Sequence, residues 1–365
     1  MTFKETLTPS ERITQLYKTG CADRPGVSLL AFGMVSQMSH RLTIGEGFAN
    51  PIKYAKAYLH IWQLFNFDSG PIFGHYCTGN AEFGGTLAYP SRNSKATGPV
   101  ILSHAITSPE EVELMEVPDP SEVGEVPRII EACKYVMENY PKGYRVPHAN
   151  VGTTFSWATN IIGLEKLLVW MSFEPDLVHK VSRKIVDFQD EYTRLLTNLV
   201  GPTIVFEGGF AETNDFITSM QFHDFVLPYL KDYHHKAVQN GVLGFRTHPC
   251  GLQRENLDLW KGLEGTLSIN FDSRNYLSEV VRKFAKETMV AGNIKTGLFI
   301  ENGFDELYSK ATECLNKSAI RCEHGYAVGP GCEMPPNVPP ANLFALVQAA
   351  RDFADTKGWR AHCSR

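Results

Sequence analysis

The tetrapeptide HPCG places a histidine and a cysteine, His248 and Cys250, at the end of a short run that reads as a strand. Much later in the chain, Cys332 lies in the segment GPGCEMPPNVPP. An imidazole nitrogen and two thiolates suit zinc, and three protein ligands leave the fourth position of a tetrahedral ion open for catalysis. The sequence therefore suggests one catalytic zinc site at His248, Cys250 and Cys332. The alternative is that the two segments are only a turn and a proline-rich loop.

The elements that must position these residues alternate between strand and helix. Strand-like runs are GVSLLAF, NFDSGPIF, YRVPHANV, TIVFEGG, VLGFRTH, LEGTLSINF, ETMVAGNI and SAIRCEHGYAVG, separated by longer amphipathic stretches. About eight such units predict a parallel sheet closed into a (β/α)8 TIM barrel, whose active site lies at the carboxyl ends of the strands. We expect a single domain over 1–365 with an N-terminal helical extension over 1–25, and the Gly-, Pro- and Ser-rich region 75–125 is expected to elaborate the barrel.

Composition limits the classes of function. The chain has 365 residues, is 43% hydrophobic and carries a formal net charge of -5, without a cluster of Lys and Arg that would suit nucleic acid. No secretory signal and no membrane-length apolar run is evident, so a soluble cytoplasmic protein is expected. The eight cysteines are irregularly spaced, and in a reducing compartment they are expected to be core residues, metal ligands or catalytic groups rather than disulfides.

The segments HPCG, VAGNIKTGLFIENG and GPGCEMPPNVPPANLFALVQAAR together resemble the uroporphyrinogen decarboxylase superfamily. The resemblance is to its zinc-dependent methyltransferase branch, which has a His-x-Cys…Cys signature, and it runs from ADRPGV to the last helix. It implies the same barrel and a zinc ion at His248, Cys250 and Cys332. The decarboxylases are metal-free and carry an arginine-bearing segment soon after the first strand. The corresponding stretch here, FGMVSQMSHRLTIG, lacks that pattern, so porphyrinogen decarboxylation is disfavoured.

The candidate catalytic residues are Glu207 and Asn270. Members of the branch commonly have a glutamate after the strand that follows the His-x-Cys strand, whereas this chain has SINFDS, with Asn270 at the aligned position. The fourth zinc ligand therefore stays open among Glu207, Asn270 and Asp272. Glu207 closes the strand VFEGG, and its alternative role is to pair with a nearby arginine.

The candidate substrate-binding residues are Arg246, His148, Asn293 and Phe206. Arg246 shares a strand face with His248 and can anchor the sulfonate of coenzyme M or an aromatic carboxylate, although a buried ion pair is the competing interpretation. Phe206 belongs to a set of aromatic residues near strand ends that can form an apolar slot or simply pack in the core. His148 has a structural alternative as a hydrogen-bonded core residue, and the resemblance favours a site position for Asn293.

Three further histidines have weaker signals. The adjacent pair His234 and His235 is expected to lie on a partly solvated helix without a functional role. His75 and Cys77 repeat the His-x-Cys spacing inside a glycine-rich loop, but their ligand role is disfavoured.

The resemblance implies a zinc-dependent methyltransferase that exchanges a methyl group with the cobalamin of a separate corrinoid protein. The favoured substrate is a methoxylated aromatic compound, which would be O-demethylated. The alternative is a coenzyme M transferase acting on methylcobalamin or epoxides. A metal-free decarboxylase and a non-catalytic binding protein are less favoured than either. The chain lacks the D-x-H-x-x-G pattern of cobalamin-binding domains, so cobalamin is expected to come from the partner. The sequence does not fix the oligomeric state, although it is compatible with a homodimer.

Overall fold

The computed structural model describes residues 3–39, 42–91, 96–140 and 146–364. His40 and Arg41 of FGMVSQMSHRLTIG, part of the region 75–125 and the first two residues of YRVPHANV lie outside the described residues. Within the described part of the chain, no helix is long and apolar enough to span a membrane.

Eight parallel strands form a curled sheet in which consecutive members of the order β1-β10-β9-β8-β7-β6-β5-β2 are hydrogen-bonded. The first and last strands of this order are joined through Asp68, whose backbone N–H donates to Val27 O (2.9 Å) and whose carboxylate accepts from Val27 N (2.7 Å). The predicted (β/α)8 barrel is confirmed, and each barrel strand falls on one of the eight predicted runs. The strands are β1 (Gly26–Val27), β2 (Ile72–Phe73), β5 (His148–Asn150), β6 (Ile204–Gly209), β7 (Gly244–Pro249), β8 (Thr266–Asn270), β9 (Met289–Ala291) and β10 (Tyr326–Val328).

An antiparallel hairpin, β3 (Thr86–Ala88) and β4 (Val100–Ser103), lies outside the barrel in the region expected to elaborate it. The helices that connect and cover the strands are α1 (Pro9–Thr19), α2 (Gly33–Met38), α3 (Ile44–Ala49), α4 (Pro51–Phe65), α5 (Pro109–Leu114), α6 (Val126–Asn139), α7 (Thr154–Ile162), α8 (Leu164–Phe173), α9 (Pro175–Val200), α10 (Ser219–Phe225), α11 (Leu227–Gln239), α12 (Leu277–Phe284), α13 (Leu298–Glu301), α14 (Phe304–Ser318), α15 (Pro340–Ala354) and α16 (Lys357–His362). A short 3-10 helix spans Leu257–Trp260.

Helix α9 illustrates how the sequence sets an outer helix of the barrel. Pro175 begins the helix where a backbone N–H is not needed, and the chain leaves it at Gly201, whose φ of +93° lies in the region that favours glycine. One face of the helix is buried against the core at a helical repeat, and its buried positions include Val178, Val181 and Ile185. The charged residues between them therefore face solvent.

The stretch FHDFVLPYLKDYHHKAVQNG, predicted as one helix, is two helices in the structure. Helix α10 ends at Phe225 and α11 begins at Leu227, with Pro228 in the first turn of α11. A proline in a continuous helix removes one backbone hydrogen bond and its ring clashes with the preceding turn. The break at Val226 relieves both conflicts.

Helix α1 is held against the amino-terminal end of the barrel by a buried ion cluster. Asp68 accepts from the guanidinium groups of Arg12 and Arg24, each at 2.6 Å, and all three side chains are fully buried. Arg12 also pairs with Asp23 at 2.6 Å, and Glu5 accepts from Arg12 and Arg24 at the edge of the cluster. Each buried charge thus has an opposite charge within hydrogen-bonding distance, as burial requires.

The cluster should make stability depend on acidity. Burial raises the pKa of Asp23, but the hydrogen bond and charge of Arg12 and the backbone N–H donors outweigh burial, so the pKa lies below its ordinary value of 3.8. A carboxyl whose pKa is lowered by folding stabilises the protein above its unfolded pKa and loses this contribution as the pH falls through the folded pKa. Asp23→Asn should therefore lose less stability than wild type between pH 7 and pH 3, as measured by urea unfolding. Asp224→Asn, an exposed carboxylate on α10, is the control, and equal losses in Asp23→Asn and wild type would contradict the assignment.

Cys21 and Cys363 form a disulfide with a Cα–Cα distance of 5.4 Å. This pairing differs from the expectation that none of the cysteines would be bridged. The two residues are far apart in sequence, but helix α16 returns the chain to the segment after α1. The sequence could not show this proximity, because it depends on the whole barrel being closed between them.

Candidate metal centre and adjoining cavity

Strand β7 carries His248 to the carboxyl end of the barrel. Side chains alternate along a strand, so Arg246 and His248 both face the lumen, with Arg246 deeper. Cys250 follows in the turn, where its backbone N–H donates to Gly209 O at 2.8 Å and fixes the turn to β6. The side chain of Cys250 is therefore held at the mouth of the barrel.

Cys332 comes from the loop after β10. The loop is bound to the segment after β9, because Gly331 N donates to Ile294 O at 2.7 Å. A Cβ atom at position 331 would come within 2.5 Å of Ser273 N, so the close approach of this loop to the loop after β8 requires glycine there. This contact places Cys332 beside the end of β7.

The structure brings His248, Cys250 and Cys332 together, with one possible ligand atom from each lying within 4.8 Å of the others. The Sγ atoms of Cys250 and Cys332 are 3.5 Å apart. Zinc–sulfur bonds of about 2.3 Å in a tetrahedron separate two sulfurs by roughly 3.8 Å. Nε2 of His248 is buried and has no hydrogen-bond partner among the described residues. The donor set and spacing therefore fit a zinc ion.

Asn270 orients His248. Nδ1 of His248 lies 2.8 Å from Asn270 O and 2.9 Å from Asn270 Oδ1, so it is the protonated nitrogen and Nε2 keeps its lone pair for a metal. The Asn270 amide is itself fixed, since Nδ2 donates to Ala291 O (3.0 Å) and Pro330 O (3.2 Å). Asn270 is thus placed beside the metal ligand, and its expected catalytic role stays a prediction.

Asn270→Ala should weaken zinc binding by about 10- to 100-fold, because His248 would lose the side-chain acceptor, one of the two that set its tautomer and ring orientation. Competition with a chromophoric chelator measures the change. Asn139→Ala removes an exposed asparagine amide from α6 and should leave zinc affinity unchanged. Equal affinities in Asn270→Ala and wild type would show that the backbone O of Asn270 alone is sufficient.

The thiols of Cys250 and Cys332 are hydrogen-bonded to each other. The hydrogen bond with Cys250 lowers the pKa of Cys332 despite its burial. The same hydrogen bond, together with burial, raises the pKa of Cys250. Burial lowers the pKa of His248, but the nearby Cys250 and the Asn270 backbone acceptor outweigh it, and the net pKa is raised. A divalent cation bound between them would stabilise both thiolates.

Glu207 does not face this centre. Strand β6 turns Phe206 and Gly208 toward the cavity and Glu207 toward α11, where it lies 3.0 Å from His234 Nε2 and accepts from Thr247 Oγ1 at 3.0 Å. The carboxylate is fully buried in this pair, so we do not retain it as a catalytic residue or fourth ligand. The interaction also corrects the expectation for His234, which is buried rather than solvated.

The four predicted substrate-binding residues lie in four different places. Phe206 lines the cavity next to the metal centre. Arg246 lies beneath it and is 3% exposed, and its guanidinium donates to Leu29 O instead of forming the buried ion pair considered above. His148 lines another cavity, at the amino-terminal end of the barrel, where burial and nearby Arg246 lower its pKa far below the ordinary value. Asn293 donates to the backbone of Asp272 and Asn275, and so holds the loop after β8.

Three other residues considered as ligands are Asp272, His75 and Cys77. Asp272 Oδ2 lies 3.8 Å from Cys250 Sγ and accepts from Gly251 N, which leaves it next to the ligand set. His75 and Cys77 do not converge on one point, because Nδ1 of His75 accepts from Cys77 N while the Cys77 thiol donates to Pro99 O.

The cavity beside the metal centre has a volume of about 340 Å³ and mainly apolar walls. Glu333 lies in it directly after Cys332, and sequence reasoning missed this residue although it is adjacent to a predicted ligand. Its carboxylate accepts from Gly33 N at 3.3 Å, and burial raises its pKa to about 7. The cavity is lined by Leu30, Phe32, Tyr76, Thr78, Asn150, Gly152, Ser156, Trp157, Asn160, Phe206, Gly208, Gly209, Phe210, His248, Cys250, Cys332 and Glu333.

Comparisons with known proteins agree with this architecture. The family model for uroporphyrinogen decarboxylase (URO-D) matches residues 8–353. No curated protein sequence matches the chain. Among solved structures, a methyltransferase from Methanosarcina mazei superposes with a TM-score of 0.79 at 16% identity, covering 95% of this chain and 98% of the other. At this identity the likeness shows the fold alone.

Proposed function

The chain belongs to the uroporphyrinogen decarboxylase family, and on that premise we propose that it is a zinc-dependent methyltransferase that serves a corrinoid protein. The favoured reaction is O-demethylation of a methoxylated aromatic compound. The observation that carries the proposal is the convergence of His248, Cys250 and Cys332 at the edge of an aromatic cavity. The methyltransferase fold neighbour supports the reaction class.

The proposed reaction breaks the bond between the methyl carbon and the aryl oxygen. The methyl group passes to the reduced cobalt of the partner's cobalamin, and the aryl oxygen leaves as a phenolate that takes up a proton. Zinc held by His248, Cys250 and Cys332 would supply Lewis acidity toward the ether oxygen. Phe32, Trp157, Phe206 and Phe210 offer apolar surface for the ring and exclude water from it.

Coenzyme M transfer is the less favoured alternative. Its sulfonate would need a cationic partner in the cavity. Neither lysine nor arginine occurs among the described residues that line the cavity, and Arg246 lies beneath Phe206. The observed lining therefore suits an uncharged ring better than a sulfonate.

The test is methyl transfer from 2-methoxyphenol (guaiacol) to a corrinoid protein reduced to Co(I), followed by the cobalt absorbance and by the appearance of catechol. Zinc-loaded protein should form both products. Protein stripped by a chelator should form neither until zinc is restored. Equal turnover by stripped and loaded protein would refute the metal dependence, and the lack of transfer from any methoxyarene would refute the substrate assignment.

A further inference from the structure

The charge of the cavity excludes one class of aromatic substrate. Among its described lining residues, the acidic side chain is Glu333 and there is no lysine or arginine. The cavity walls are mainly apolar, with rings from Phe32, Trp157 and Phe206. When the ether of a ring lies at the metal centre, a carboxylate on the far side of the ring loses its hydration without gaining a cationic partner, which is costly. The lining thus disfavours methoxybenzoates.

Arg246 is the nearest candidate for such a partner, but Phe206 covers it. The two residues are paired in register on β6 and β7, and the Arg246 guanidinium carbon lies 5.7 Å from the centroid of the Phe206 ring. Phe206 lines the cavity and Arg246 does not. The aromatic ring therefore stands between the arginine and any bound substrate.

Arg246 itself is an incompletely compensated cation. Nη2 donates to Leu29 O at 2.5 Å, whereas Nη1 is buried without a hydrogen-bond partner among the described residues. Within the same part of the chain, no carboxylate forms an ion pair with it, and burial lowers its pKa against the smaller opposing effects of Tyr17 and Tyr58. The guanidinium would accordingly bind an anion if the ring above it were removed.

The distance along β7 between Arg246 and His248 suits a single aromatic ring. Arg246 and His248 are two residues apart on one strand, which separates their Cα atoms by about 6.6 Å along the strand. A ring with its ether at the metal centre can therefore direct a carboxylate on its far side toward the Arg246 level. Phe206 blocks that direction.

Two buried polar atoms complement an uncharged ring hydroxyl. Nδ2 of Asn150 donates to His75 O at 2.7 Å, which leaves Oδ1 as an acceptor without a partner among the described residues. Nε1 of Trp157 is a donor that is also unpartnered there. Both residues line the cavity, and a substrate hydroxyl that reaches either atom can donate to Oδ1 or accept from Nε1.

We infer that the cavity selects uncharged hydroxylated aryl methyl ethers over their carboxylate-bearing counterparts, and that Phe206 imposes this selectivity by covering Arg246. The inference rests on the proposed function, because it names the substrate class of the same site. It assigns Phe206 a role in specificity, distinct from its contribution to the apolar wall.

The experiment compares guaiacol with vanillate, which has the same ring substituents plus a carboxylate. Isothermal titration calorimetry on zinc-loaded protein without a corrinoid partner measures binding separately from turnover. Wild type should bind guaiacol about tenfold or more tightly than vanillate. Phe206→Ala should raise vanillate affinity by about tenfold or more without a matching gain for guaiacol.

Two controls identify the cause. Phe210→Ala removes a ring from the same cavity but not from above Arg246, so it should not increase vanillate affinity. The double variant Phe206→Ala with Arg246→Gln should lose the gain seen in Phe206→Ala. If the alanine variant does not fold, Phe206→Val opens the same direction with a smaller loss of packing volume.

The outcomes separate the inference from the proposed function. Equal binding of both compounds to wild type overturns the inference and leaves O-demethylation standing. An unchanged vanillate affinity in folded Phe206→Ala overturns the role of Phe206. Binding of neither compound to wild type overturns the methoxylated-ring assignment itself, and tight guaiacol binding without methyl transfer overturns the proposed reaction but not the selectivity.

Discussion

Cys332→Ser is expected to reduce zinc from about one ion per chain to nearly none in elemental analysis. The thiolate contributes one of three converging ligands, and a serine hydroxyl is a much poorer zinc donor. Replacing a residue that only supports a ligand typically costs 10- to 100-fold in metal affinity or activity, so losing a ligand should cost more than about 100-fold. Methyl transfer should fall with the metal.

The fold should survive this substitution, because the site lies at the mouth of a barrel with an extensive core of its own. Circular dichroism and the urea midpoint of metal-free protein check that point. Cys314→Ala alters a cysteine buried on α14 and should retain zinc. Retention of zinc by Cys332→Ser would show that Cys332 does not share a zinc site with His248 and Cys250, and would refute the single centre.

Asp68→Ala is expected to lower the free energy of unfolding by about 3–5 kcal/mol. The substitution leaves the buried guanidinium groups of Arg12 and Arg24 without the carboxylate that accepts from both. It also removes the acceptor for Val27 N, where the first barrel strand meets the segment before β2. Urea unfolding at neutral pH measures the loss.

The matched control is Asp355→Ala, which breaks a largely exposed pair with Arg360. Surface pairs contribute roughly 0–1 kcal/mol, so this variant should unfold close to wild type. If Asp68→Ala also stayed within that range, Asp23 and Glu5 would have to neutralise both arginines, and the central role of Asp68 would be wrong.

Much of the architecture was predictable because strand and helix periodicities are local. The eight barrel strands lie on the predicted runs, although the hydrogen-bonded part of each is usually shorter. The grouping of His248, Cys250 and Cys332 followed from motif spacing and resemblance, together with the rule that barrel strands present their carboxyl ends on one face. The Cys21–Cys363 disulfide had no local signal at all.

The orientation of Glu207 has a simple physical origin. Adjacent residues of a strand point to opposite faces, so Phe206 and Glu207 cannot both face the lumen. Because Phe206 faces the lumen, this alternation places Glu207 on the helix side. Its partner His234 could not be identified in advance, because the contact depends on how α11 packs on β6.

The covering of Arg246 by Phe206 depends on the register between two neighbouring strands, which single-strand patterns do not contain. Glu333 was not predicted as a cavity residue for another reason. It lies in a loop, where no periodicity indicates which side chains face inward, and its environment is set by the backbone of Phe32 and Gly33.

Phe206 and Arg246 also fill the barrel beneath the cavity, so ligands reach the metal centre from the carboxyl ends of the strands. Under the proposed reaction, a corrinoid protein that presents its cobalt there would cover the same route. The methyl donor would have to bind before that protein docks, and the demethylated product would leave only after it departs. Steady-state rates measured while both reactants are varied should then follow a compulsory order.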